Sequence, residues 1–281
     1  PLSPFFKSRA SANLFGILPV EQKKKNDNST NSFYNRTTLV HWMNHLGVEK
    51  DSALTADVPE IVFRAGREFA RAFIRGLFTA DGTITDEGYV SLASVSESLI
   101  DHTQQLLLSL GIPSGKSVKP ERDDRYGDHP VHILRIITER GLKTFAQDIG
   151  FLAEKKNKRL KQYVEFETND IIPHQEWKLR EVYDGPGGGR APGKNSKGAN
   201  RALYRDIQHY LPSIRAKRNL TYKRLARLAE KHKEIRKSSL DWFLSNNQFY
   251  DQVTSLTHGK TYTVDLSVPE NVTYIANGFV S

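Results

Sequence analysis

The segment from Glu68 to Ile84, EFARAFIRGLFTADGTI, constrains this chain more than any other. Ala72, Gly76 and Ala80 recur at every fourth position, so on a helix they line one stripe where a second helix backbone can approach closely. Asp81 follows, and Gly82 stands where a helix ends. A carboxylate at a helix C-terminus meets the negative end of the macrodipole, at a cost of about 0.3–1 kcal/mol. A divalent cation is one group that offsets such a cost; magnesium is commonly held by one or two carboxylates together with phosphate oxygens and waters. A plain helix stop leading into a strand explains the same Asp81-Gly82 pair equally simply.

Beyond Gly82 the apolar period changes from helical to alternating. Residues 82–85 and 89–95 read as strands joined by a turn at Asp86-Glu87-Gly88. Residues 97–110 read as a helix whose buried stripe is Leu99, Ile100, Leu106, Leu107 and Leu110, ended by Gly111. Strands at 115–120 and 130–137 flank the charged loop 121–128, and helices follow at 139–149 and 154–165. Upstream, Leu39, Trp42, Met43 and Leu46 predict a helix over 37–48, while 21–36 reads as a solvated loop. Downstream, 184–200 is a glycine-rich basic linker, with helices predicted at 201–210, 222–233 and 238–246. The stretches QVTSL, TYTVDLSV and TYIANGFV within 251–281 read as strands. The fold class is therefore α/β of the α+β kind. Four segments are expected: 1–60 as a linker or the tail of an earlier repeat, 61–165 as an α+β repeat, 166–246 as a basic helical part and 247–281 as a β-rich end.

Composition narrows the functional classes. With no cysteine, disulfides, thiolate metal sites and cysteine nucleophiles are excluded within the chain. No apolar run approaches the roughly 18 to 20 residues that cross a bilayer, and residues 1–22 do not have the form of a signal peptide, so no membrane partner is expected. The expected location is intracellular, in the cytoplasm with the nucleoid DNA. Lys plus Arg outnumber Asp plus Glu by 41 to 32, a net charge of +9 that suits a polyanionic partner such as DNA.

Ile74 to Gly82, IRGLFTADG, resembles the LAGLIDADG motif of homing endonucleases: Gly76, Leu77, Ala80, Asp81 and Gly82 match, and Thr79 stands in place of the first acidic residue. The order of elements after it matches that family's αββαββα repeat. VPEIVFRAG before the motif, LLLSLGIPSG after its hairpin and FAQDIGFLAEKKNKRL after its last strand resemble the endonucleases carried by inteins. The resemblance implies a metal-dependent double-strand cut in a long DNA site, with Mg2+ or another divalent ion held by Asp81. It also implies a basic residue near the cleaved phosphates. Lys155 and Lys156 are the candidates for that role, and a solvated helix start explains each equally well. In the family two such helices pack together, so the partner aspartate is expected from a second repeat, upstream or in another copy. The strands would form a saddle in the major groove, with Lys116, Lys119, Arg122, Arg125 and Arg135 as DNA contacts.

FYDQVTSLTHGKTYTVDLSVPENVTYIANGFVS resembles the C-terminal splicing region of inteins, part of a Hint domain; Asp265, Leu266, Val268, Pro269, Tyr274, Ala276, Asn277 and Gly278 match. That resemblance implies a host protein, the exteins, in the precursor, and a role for Asp265 as proton shuttle or orienting residue. A strand-end turn aspartate is the alternative. Val272 departs from the family's usual histidine. Neither the N-terminal nucleophile block nor the terminal His-Asn pair is found in residues 1–281, so this stretch alone is not expected to splice.

Two weaker patterns remain. Gly188 to Lys194, GGRAPGK, imitates a phosphate-binding loop, but Asn195 replaces the Ser or Thr that would touch magnesium and no strand precedes it. Lys223, Arg224, Arg227, Lys231 and Lys233 crowd a helical pair over 220–244 with a break expected near Lys237, a pattern compatible with helix-turn-helix DNA contact; Lys223 and Arg227 are its leading candidates. Two rival readings follow: a sequence-specific DNA-binding protein that does not cut, or a splicing-only intein remnant, which is expected to lose both the basic excess and Asp81.

Overall fold

A computed structural model describes residues 20–23, 30–33, 37–48, 52–120, 129–162, 170–184, 201–211, 219–246, 248–251, 253, 255–260, 262, 275–276 and 279–280. Arg122, Arg125, Asp265, the phosphate-loop imitation at 188–194 and the strand expected over TYTVDLSV lie outside the described residues. The chain divides into two compact units, residues 1–165 with 273–281 and residues 166–272.

The first unit opens with an antiparallel hairpin, β1 (Val20–Lys23) and β2 (Thr30–Phe33), in the register Val20↔Phe33. This corrects the loop read over 21–36. Each strand carries a single apolar residue, Val20 in one and Phe33 in the other, so no alternation signalled a strand in the sequence. Helix α1 (Thr37–His45) lies where helical spacing placed it. The short α2 (Glu60–Arg64) went unread because five residues between Pro59 and Gly66 are too few to show a period.

Helix α3 (Arg67–Ala80) buries Ala70, Ile74 and Phe78, one apolar residue per turn. It leads into β3 (Thr83–Ile84), β4 (Val90–Ser94), α4 (Glu97–Ser109), β5 (Gly115–Lys119) and β6 (Val131–Ile136). The four strands form one antiparallel sheet in the order β3-β4-β6-β5. Leu92 pairs with Leu134 and Val90 with Ile136, and all four side chains are buried. Together with Ile74, Phe78, Ile100, Leu107 and Ile112 they form the core between helices and sheet. Local signals start the helices: Ser96 Oγ accepts from the Leu99 N–H at 3.2 Å and caps α4, and Thr138 Oγ1 accepts from the Gly141 N–H at 3.0 Å and caps α5 (Glu139–Thr144).

The helix expected over 139–149 is instead α5 followed by a π-helical turn, Phe145–Ile149, which ends at Gly150 with a φ of 62°. The wide turn sits where two arginines of α3 bind it: Arg75 Nε donates to the Ile149 carbonyl, and Arg71 reaches the Asp148 carboxylate at 2.7 Å. Phe145 packs edge-on against Phe78 at 5.3 Å and against Phe151 at 5.4 Å. Helix α6 (Glu154–Gln162) closes the repeat.

Asp57 ties the segment before α2 to α4. It accepts from the Val58 N–H at 2.6 Å and the Ser98 hydroxyl at 2.7 Å, and its Oδ1 lies 2.5 Å from His102 Nδ1. Partial burial pushes its carboxyl upward, but the Ser98 and His102 contacts and the Val58 N–H outweigh this and hold it below its ordinary value. A depressed carboxyl contributes stability that is present above its unfolded value of about 3.9 and is lost as pH falls through the folded value. Chemical denaturation below about pH 4 is therefore expected to show a steeper loss for the native chain than for Asp57→Asn.

In the second unit β7 (Ile171–Ile172) pairs antiparallel with β8 (Leu220–Thr221). Around this pair lie α7 (Glu176–Asp184), α8 (Arg201–Ile207), α9 (Tyr222–Lys231), α10 (Lys233–Arg236) and α11 (Asp241–Ser245). Their core is Ile172, Leu179, Leu203, Ile207, Leu225, Ile235, Leu240 and Phe243. The break expected near Lys237 is present, with Lys237 following the end of α10 and α11 starting at Asp241, and a further break falls at His232, whose extended backbone separates α9 from α10. With α10 and α11 four and five residues long, the basic residues ride on α9 rather than on a second long helix.

At the C-terminus, Val253, Ser255 to Lys260 and Tyr262 are not in strands, which corrects the strand expected at QVTSL. The stretch TYIANGFV is not one strand but contains two, β9 (Ile275–Ala276) and β10 (Phe279–Val280), paired antiparallel in the register Phe279↔Ala276 and Val280↔Ile275.

Candidate metal and DNA site

Helix α3 delivers Asp81 at its C-terminal end. The Asp81 N–H still bonds to the Leu77 carbonyl at 2.9 Å, and Gly82 N–H bonds to Phe78 O at 3.0 Å, so the helical ladder runs through both residues. Gly82 is required by close approach rather than by a positive φ. A Cβ there would lie 2.6 Å from Phe78 O and 2.8 Å from its Cα, both backbone atoms that cannot swing away. Gly82→Ala is expected to cost about 1–3 kcal/mol and to displace Asp81, as a lowered thermal midpoint would show.

Lys156 completes the helix end. Its Nζ donates to the carbonyls of Thr79 at 2.7 Å, Gly82 at 2.6 Å and Phe78 at 3.3 Å, three contacts that use all three N–H bonds of an ammonium. Burial pushes the Lys156 pKa down and the nearby Asp81 charge pulls it back up; the net direction is down. Lys156 therefore places a positive charge of the chain's own at the negative end of the helix, beside Asp81.

A short latch positions this lysine. Thr79, which replaces the motif's first acidic residue, is buried; its hydroxyl donates to Arg75 O at 2.6 Å and accepts from the Leu152 N–H at 2.8 Å. Asn157 brackets Phe151, accepting from its N–H at 2.8 Å and donating to its carbonyl at 2.6 Å. The Lys156 ammonium also lies 5.6 Å from the centre of the Phe151 ring. Sequence reasoning missed Thr79 and Asn157. A usable signal was present for the lysines: Lys156 stands four residues before the buried Leu160 and shares its face, and Lys155 does not. Lys155 is exposed.

The Asp81 carboxylate is exposed and accepts no hydrogen bond among the described residues. The described residues contain no group of three or more His, Asp or Glu side chains able to hold a metal ion. One carboxylate therefore fits half of an oxygen-ligand site, which phosphate oxygens and a second carboxylate would complete. The small-residue stripe is open: Ala72 and Ala80 are exposed, and a Cβ at Gly76 would meet nothing within 4 Å. Among the described residues no second helix packs there.

Strand register sorts the expected DNA contacts. Arg135 pairs with Ser91 and Gly115, and Lys119 pairs with Val131, so Arg135 and Lys119 share the face opposite the buried leucines. Lys116 pairs with Leu134, on the helix-covered face, where it forms an ion pair with Asp101 of α4. Lys116 is thereby removed from the face expected to meet DNA. Lys223 and Arg227 lie on α9 of the second unit, half-buried and exposed respectively.

Residues 68–150 match the model of the LAGLIDADG-like domain. That span runs from α3 to the end of the π turn, and its mixed helices and small antiparallel sheet are consistent with the LAGLIDADG α/β fold. The chain is similar to the replicative DNA helicase DnaB of Nostoc sp., 27% identical over 87% of this chain and 28% of that protein. It is also similar to a DNA polymerase of Thermococcus hydrothermalis, 32% identical over 49% of this chain and 9% of that protein. The DNA-directed RNA polymerase subunit Rpo1C of Methanocaldococcus jannaschii is 30% identical over 49% of this chain and 15% of that protein. The chain thus spans less than a third of each of these relatives. Among the described residues no helix is long and apolar enough to cross a membrane.

Proposed function

We propose that this chain is the endonuclease part, with an attached splicing segment, of an intein that makes a double-strand cut in a long DNA site. The observation that carries the reading is the exposed, unbonded Asp81 carboxylate, held at the end of a helix whose small-residue stripe is open to a partner. A second LAGLIDADG helix on that stripe would bring a second carboxylate beside Asp81. The family match over 68–150 supports the coarse assignment to nucleases. Insertion in a host is supported by similarity to minor parts of a helicase, a DNA polymerase and an RNA polymerase subunit, whose named activities differ.

A magnesium ion held by Asp81, a second carboxylate and phosphate oxygens would stabilise the charge that builds on phosphorus and on the leaving oxygen. The chain's own residues do the positioning. Lys156 fixes the turn that carries Asp81. Arg135 and Lys119 neutralise phosphates along the sheet face, and exposed Lys155 is the lysine left to approach a phosphate. In the proposed precursor the host protein's exteins flank the chain, and Asp265 acts in splicing as an orienting or proton-carrying group.

The test is incubation of the chain with a library of candidate insertion-site duplexes, with and without magnesium. Defined double-strand ends that appear only with the metal support the reading. Tight, selective binding without ends would establish the non-cutting DNA-binding protein instead.

A further inference from the structure

In the second unit a cavity of about 310 Å³ opens between α8 and α9. Asp206 and Tyr210 line one side; Arg224, Arg227, Glu230 and Lys231 line the other. Positions 224, 227 and 231 are three and four residues apart and share one face of α9. Asp206 already has partners: His232 Nε2 lies 2.9 Å from its Oδ2 and Lys231 Nζ lies 3.7 Å away. Arg227 is exposed and has no hydrogen-bonded or ion-paired partner among the described residues. Three cations face two carboxylates, so the cavity is net positive and holds an uncommitted guanidinium, the planar fork that matches phosphate oxygens.

We propose that this cavity seats a single backbone phosphate of bound DNA, with Arg227 and Lys231, one helical turn apart, closing on the same group. The proposal rests on the DNA-binding reading above and adds to it a register-setting contact made by the second unit. Two cations that share one phosphate release the counterions of one phosphate, whereas two independent surface contacts release those of two.

The experiment measures affinity of the whole chain for a random-sequence DNA duplex across a salt series, without divalent ions. The double variant Arg227→Gln/Lys231→Gln is expected to reduce the slope of log affinity against log salt by about 1, and each single variant to lose well under half of that, because the remaining cation still neutralises the phosphate. Lys237→Gln/Lys260→Gln, an equal charge change on exposed residues outside the cavity, is expected to reduce it by less than about half as much. A loss near 2 that is additive between the singles, no loss, or the same loss from both pairs would overturn the shared seat. A native chain that does not bind the duplex at any salt concentration would overturn the DNA reading and this site with it. All four side chains are solvent-facing, and an unchanged circular dichroism melt verifies folding.

Discussion

Asp81→Ala is expected to slow magnesium-dependent cleavage by about 10²–10⁴-fold while leaving the fold intact. A metal-bound carboxylate site contributes several kcal/mol to transition-state charge stabilisation, and each 1.36 kcal/mol is tenfold in rate. Nothing in the fold depends on this side chain, because it is exposed and accepts no hydrogen bond among the described residues. Removing an anion from the negative end of α3 even favours the helix, by about 0.3–1 kcal/mol before the lost attraction to Lys156 is counted. The diagnostic result is therefore loss of cutting with an unchanged or slightly raised melting temperature and unchanged DNA affinity, read by single-turnover cleavage and by binding without metal. A variant that cuts at the native rate would remove Asp81 from the chemistry.

Lys156→Met is expected to act through structure first. Methionine keeps most of the aliphatic stem but cannot donate, so the carbonyls of Phe78, Thr79 and Gly82 lose their shared partner. Hydrogen bonds to charged groups contribute about 1.5–3 kcal/mol each, but the three share one half-exposed ammonium and are not additive. A loss of about 2–4 kcal/mol and a fall in melting temperature of roughly 5–15 °C are expected. Lys155→Met supplies the contrast: as an exposed substitution it is expected to stay within about 0.5 kcal/mol of the native stability. If the lysines exchanged these phenotypes, the latch built on Thr79, Phe151 and Asn157 would not be what holds α3's end.

The repeat was legible in the sequence wherever one short window carried the signal. Helix α3, the strands from β3 to β6 and helix α4 begin or end within a residue or two of their expected bounds, because Gly82, Gly111 and the alternation around Leu92 and Leu134 act over a few residues. The unread elements depend on distant partners. Ile171 and Ile172 form a strand only because Leu220 and Thr221 lie beside them, and the π turn at 145–149 carries the contacts of Arg71 and Arg75, more than seventy positions earlier.

The sequence by itself determined the chemistry on offer: a small-residue helix ending in Asp81-Gly82, a basic surface, and no thiol. Only the tertiary structure decided how the charges are used. It committed Lys156 to backbone carbonyls, turned Lys116 toward Asp101, left Asp81 and the Ala72-Gly76-Ala80 stripe open, and gathered Arg227 and Lys231 around a cavity. The reason is physical. Residue type fixes which charge a position carries, but the net effect of a charge depends on desolvation and on partners within a few ångströms, and both come from chain segments far apart in sequence.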